Sequence, residues 1–197
     1  FEFTVKLWRE ITHSNKLEYC EENIDLFMEG ANRLGHKRGC LLVQFPASVT
    51  VDLISNVEKI VNRLAFLNHI EADKGEKKWR VAVEVRHNSW YCIETYKMFE
   101  KFDASLVVHD MPKSRTPLNV HCEFDSLLKD FVYLRFHGPT GDYNGSYSNE
   151  ILESYVSFIK DWNLQGRDVY IYFNNTIGDA LGNLKTLQDF MSASCID

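Results

Sequence analysis

The stretch VAVEVRHNSW, Val81 to Trp90, decides how this chain folds. Its first half reads as a strand, with Val81, Val83 and Val85 on one parity and Ala82, Glu84 and Arg86 on the other. One parity stays apolar; the other gains charge towards its C-terminal end. In an open sheet covered by helices on both sides, both parities of a central strand should be apolar. In a closed parallel barrel one parity meets the helices and the other fills the lumen, turning polar at the mouth. This stretch fits a barrel strand.

Five further segments repeat the pattern. In Phe3–Trp8, Phe3, Val5 and Leu7 oppose Thr4, Lys6 and Trp8, and in Cys40–Phe45, Leu41, Val43 and Phe45 oppose Leu42 and Gln44. In Ser105–His109, Leu106 and Val108 oppose Ser105, Val107 and His109. In Phe131–His137, Val132, Leu134 and Phe136 oppose Tyr133, Arg135 and His137. In Val169–Asn174, Val169, Ile171 and Phe173 oppose Tyr170, Tyr172 and Asn174.

Helical spacing fills the intervals. Ser148–Asn163 carries Ile151, Leu152, Tyr155, Phe158, Ile159 and Trp162 at three- and four-residue steps, with Ser148 as its N-cap. Leu53–Leu67 does the same through Val57, Ile60, Val61 and Leu64, and Glu22–Leu34, Cys92–Phe102 and Leu181–Met191 are shorter helices. His69–Lys78 reads as a charged surface connection. Strands alternating with helices imply parallel pairing through right-handed crossovers. The predicted class is therefore α/β, a TIM-type (β/α) barrel in one domain, residues 1–197. It is incomplete, with about six of the usual eight units. Phe1 opens directly into a strand pattern, from which an N-terminal truncation is expected.

Composition narrows the function. The 197 residues are 45% hydrophobic and 25% charged, with a formal net charge of -6, a profile of a globular protein rather than a disordered one. Extensive nucleic-acid binding, which needs a broad basic face, is not expected. No run reaches the length of a membrane span and no signal peptide is visible. The five cysteines, Cys20, Cys40, Cys92, Cys122 and Cys195, show no CxxC pair. Reduced thiols and a cytoplasmic location are the expectation.

The parity argument collects Lys6, Gln44, Glu84, Arg86, His109, Arg135, His137 and Asn174 on the inner surface. Glu84 suits a general base, a metal ligand or a hydroxyl anchor, and Arg86 a bidentate hold on phosphate or carboxylate; the same pair could equally be a buried structural network. In RFHG (Arg135–Gly138) His137 could serve as acid/base, or simply be a hydrogen-bonded core histidine. The amides ending YFNN suit substrate hydrogen bonds or helix capping, with Asn174 the ligand candidate by parity and Asn175 the more structural of the two. GPTGDYNGSYS, Gly138 to Ser148, reads as a flexible loop over the mouth. Asp110 has the opposite parity to His109. Walker, GxGxxG, GxSxG and HExxH motifs are absent, so no cofactor is expected. Glu84, His109, Asp110 and His137 could ligate a metal, but Lys6, Arg86 and Arg135 would oppose a cation, and none is expected.

The motifs VKLWREITH, LLVQFP, VAVEVRHNSW, YLRFHGP and DVYIYFNN, in this order, resemble the DUF72 (YecE-like) family of TIM-barrel proteins. The resemblance runs from Phe1 to about Met191. It implies the barrel fold, two further strands ahead of the first one here, and an undetermined activity. The positions it implies as recurrent are Lys6, Gln44, Glu84, Arg86, His87, Trp90, Arg135, His137, Asn174 and Asn175.

Three functions follow as expectations. The first is an enzyme, of hydrolase or lyase type, acting on an anionic or phosphate-bearing small molecule. In it Glu84 and His137 are catalytic, while Lys6, Gln44, Arg86, His109, Arg135, Asn174 and Asn175 bind substrate. The second is a non-catalytic module for a metabolite or a nucleic-acid end. The third is a metal-assisted hydrolase or nuclease.

Overall fold

The computed structural model describes residues 1–110 and 130–193; Cys122 and Cys195 lie outside them. The fold is α/β, built from parallel sheets and helices in two compact units, Phe1–Leu106 and Val107–Asp197. Among the described residues no helix is long and apolar enough to cross a membrane.

In the first unit β1 (Phe3–Lys6), β2 (Arg38–Gln44), β3 (Arg80–Glu84) and β4 (Ala104–Leu106) form one sheet in chain order, every neighbouring pair parallel. The connections carry α1 (Arg9–Thr12), α2 (Glu22–Asn32), α3 (Ile54–Asp73) and α4 (Ile93–Lys101). Right-handed crossovers between strands taken in chain order put each helix on the same side of the sheet. The register agrees with that. Val5, Leu41, Val81 and Ala104 form one row and Val43, Val83 and Leu106 the next, all apolar. The opposite face carries Lys6, Leu42, Ala82 and Ser105, then Gln44 and Glu84.

Helix α3 buries Val57, Ile60, Val61 and Leu64 as their spacing requires. It also runs on to Asp73, through residues expected to be a surface connection. Asn68 and Glu71 explain this. The Asn68 amide exchanges bonds of 2.9 and 3.1 Å with the Trp79 backbone. Glu71 accepts from Arg38 at 2.8 Å, and Arg38, 2% exposed, also donates to the Asn32 and Lys77 carbonyls. A buried guanidinium requires such partners. Polar residues on this turn are thus held inward, where hydropathy alone reads them as outward.

In the second unit β5 (Val108–Asp110), β6 (Phe131–Phe136) and β7 (Asp168–Phe173) form a second parallel sheet, again in chain order. The expected strand Ser105–His109 is therefore two strands. Its first half pairs with β3 and its second with β6, with Val107 in neither.

Helices α5 (Asn149–Leu164) and α6 (Ala180–Ala193) complete the unit. Leu152, Tyr155, Val156, Ile159 and Trp162 of α5 pack on Val108, Val132, Leu134 and Phe136. Ile151 and Phe158, expected on that face, are 38% and 44% exposed; the buried stripe turns through Val156 instead. Ser148 stands at the N-cap position, but its side chain does not cap the helix backbone. Of the four tryptophans, Trp79, Trp90 and Trp162 are buried while Trp8 is 39% exposed.

Candidate functional site

Three strand ends build the polar cluster of the first unit. Lys6 closes β1, Gln44 closes β2 and Glu84 closes β3. Register sets Gln44 beside Glu84. Arg86, two residues beyond β3, donates from Nε to Glu84 Oε1 at 2.7 Å. Glu84 is wholly buried and the Arg86 side chain 17% exposed, so the pair neutralises a carboxylate that could not otherwise stay ionised out of water. Lys6 donates to Gln44 Oε1 at 2.7 Å.

A residue missed in the sequence joins them. His13 follows α1, its Nδ1 2.8 Å from the Thr12 hydroxyl. Burial first, then the charges of Lys6, Arg9 and Arg86, hold its pKa below the ordinary histidine value. The signal for His13 was weak: a four-residue helix shows no periodicity. His87 and Trp90 are scaffolding instead. His87 Nδ1 accepts from Ser89 N at 3.2 Å, and Trp90 Nε1 donates to the Val49 carbonyl at 2.7 Å.

The second unit holds His109 and His137. His109, Arg135 and Tyr172 stand side by side in register. Backbone bonds from His137 N to Asp110 O (3.3 Å) and from Asn174 N to Phe136 O (2.7 Å) carry the ladder past both strand ends. They bring Asn174 Nδ2 within 3.3 Å of His137 Nδ1. An amide nitrogen donates, so Nδ1 is the acceptor in this contact. The His109 and Tyr143 rings meet His137 edge-on at 6.0 and 5.5 Å. His109 and His137 are wholly buried, whereas Arg135 and Asn174 are half-buried.

Asn175 serves a different surface. Its Nδ2 donates to Gly145 O (2.9 Å) and Asn183 Oδ1 (3.0 Å), and its Oδ1 meets no partner among the described residues. Asp110 also faces away from His109, standing in register with Phe136 and Phe173 on the helix-packed face. Burial raises its carboxyl pKa, against which the hydrogen bond from Tyr147 acts. Tyr147 in turn accepts from Gly138 N at 2.7 Å.

The loop Gly138–Ser148, expected to be loose, is tied down. Asn183 accepts from Tyr147 N and donates to Ser146, Asn175 holds Gly145 O, and Ile177 N donates to Tyr143 O. Among the described residues no three His, Cys, Asp or Glu side chains gather as metal ligands do.

No curated protein matches the sequence. A solved structure that does is that of a DUF72 family protein from Thermotoga maritima MSB8. It has a TM-score of 0.68 and 23% identity, over 100% of this chain and 74% of that one; such identity speaks for the fold alone. Residues 1–195 match the family described as "protein of unknown function DUF72". A match of that length, on motifs kept in order, makes this chain a member of the DUF72 family.

Proposed function

We propose that this protein acts on an anionic small molecule, a phosphate-bearing sugar or nucleotide being the class that suits its donors. One observation carries the reading: Lys6 ends β1 and Arg86 stands two residues beyond β3, and their charges, with that of Arg9, add to burial in lowering the His13 pKa, so positive charge gathers at strand ends of a protein whose net charge is -6. Such a field concentrates anionic ligands.

In this reading Lys6 and Arg86 of the first unit bind the anion and Gln44 fixes Lys6; in the second unit, taken by itself, Arg135 is an anion donor and His109 and Asn174 orient a substrate. Asn175 holds the loop beside it. The proton-transfer group is Glu84 in the first unit's cluster and His137 in the second's, in hydrolase or lyase chemistry. Two sheets that each run in chain order support a (β/α) barrel winding, in which chemistry stands at the C-terminal ends of strands; both residue sets stand at such ends. The free thiols of Cys20, Cys40 and Cys92 support a cytoplasmic setting.

A second reading, a binding module without turnover, has its own support in the complete burial of Glu84 and His137. Calorimetry with inorganic phosphate, and with magnesium and manganese, tests the anion. Phosphate binding that weakens in Arg86→Ala supports it, and stoichiometric metal binding with no response to phosphate overturns it. Turnover of a phosphorylated-substrate panel then separates enzyme from module.

A further inference from the structure

Tyr143 sits in the left-handed backbone region at φ 66, a conformation that strains any residue carrying a Cβ and that glycine adopts freely. The chain around it includes glycines at 138, 141 and 145, yet the tyrosine occupies this position. Two backbone bonds lock it there. Its N donates to His137 O at 2.8 Å, and its O accepts from Ile177 N at 3.0 Å. The ring so held lies edge-on to His137, centroids 5.5 Å apart at 74°. Tyr143 is half-buried, whereas His137 beneath it is 0% exposed and hydrogen-bonded to Asn174.

We propose that Tyr143 is a positioning residue for His137, its ring covering the imidazole and holding it against Asn174. The role rests on reading His137 as a proton-transfer group. It explains why a bulky ring stands where the backbone favours glycine. A strained residue locked by its surroundings is what a constrained site retains.

The test uses the full chain and the variants Tyr143→Gly and Tyr143→Phe. Three properties are followed: melting temperature, carbethoxylation of His137 by diethyl pyrocarbonate mapped by mass spectrometry, and phosphate affinity. Tyr143→Gly is expected to melt at or above the wild-type temperature, because glycine relieves the strain. Its His137 should react roughly tenfold faster, because the cover is gone. Tyr143→Phe, which keeps the ring, should protect His137 as the wild type does.

Unchanged His137 reactivity in Tyr143→Gly overturns the proposal. So does faster reactivity accompanied by a drop in melting temperature, since local unfolding then accounts for it. Loss of protection in Tyr143→Phe also overturns it. Absence of phosphate binding in the wild type counts against the proposed function alone, and leaves the reactivity comparison to decide the role of Tyr143.

Discussion

Lys6 donates to Gln44 Oε1 at 2.7 Å although its register partner on β2 is Leu42, two residues earlier. The side chain leans along the strand direction to reach the end of its neighbour, placing the ammonium at the C-terminal edge of the sheet. Gln44 is 4% exposed and Lys6 exposed. Gln44→Leu should therefore leave stability within about 1 kcal/mol, since the lysine returns to water and leucine fills the amide's space. Phosphate affinity should fall several-fold as Lys6 loses its anchor. Urea melts and calorimetry on the same variant check both halves.

The depressed His13 pKa gives a pH signature. Its folded value lies below the unfolded one, so its contribution to stability is present above the ordinary histidine range. That contribution is lost as pH falls through the folded value. Histidine NMR should show His13 titrating low. Arg86→Ala should move it upward, and saturating phosphate should do so more strongly. A His13 resonance indifferent to phosphate would argue that no anion reaches this field. Arg86→Ala should also weaken phosphate binding by about 1.5–3 kcal/mol, less at high salt.

Asp110 has the opposite sign. Burial raises its pKa and the Tyr147 hydrogen bond works against that rise, so the unfavourable charge is felt as pH climbs through the folded value. Tyr147→Phe removes the bond and also orphans Gly138 N. A loss of about 1–3 kcal/mol is expected, larger near pH 7 than near pH 4. Chemical denaturation at the two pH values measures it; equal losses at both would mean that the carboxylate is not involved.

Gly138 has φ +96, and a Cβ there would lie 2.3 Å from the Asn144 carbonyl oxygen. Both backbone strain and collision oppose a side chain. Gly138→Ala should lose about 2–4 kcal/mol of stability, visible in a thermal melt.

Strand parity made much of this legible. A two-residue period is short enough for a six-residue segment to show, and it placed Lys6, Gln44, Glu84, His109 and Arg135 on non-helical faces without reference to any partner strand. Parity also put Asp110 opposite His109. What stayed hidden depends on contacts distant in sequence. The reach of α3 to Asp73 is set by Arg38, 33 residues from Glu71. The anchoring of the loop at Tyr147 depends on Asn183, 36 residues on. The division of Ser105–His109 follows from different partners for its halves, which no local pattern records. His13 and Tyr143 lie in segments too short or too glycine-rich for periodicity to speak.

The tryptophans turn the two units into separately readable objects. Trp8, Trp79 and Trp90 lie in the unit ending at Leu106, and Trp162 alone lies beyond it. Indole emission shifts to the red when a buried ring meets water, and Trp162 starts buried. A chain with phenylalanine at positions 8, 79 and 90 would emit from α5 only, and Trp162→Phe would emit from the first unit only. Melting curves of the two, overlaid, report whether this polypeptide yields to heat as one cooperative body or in sequence.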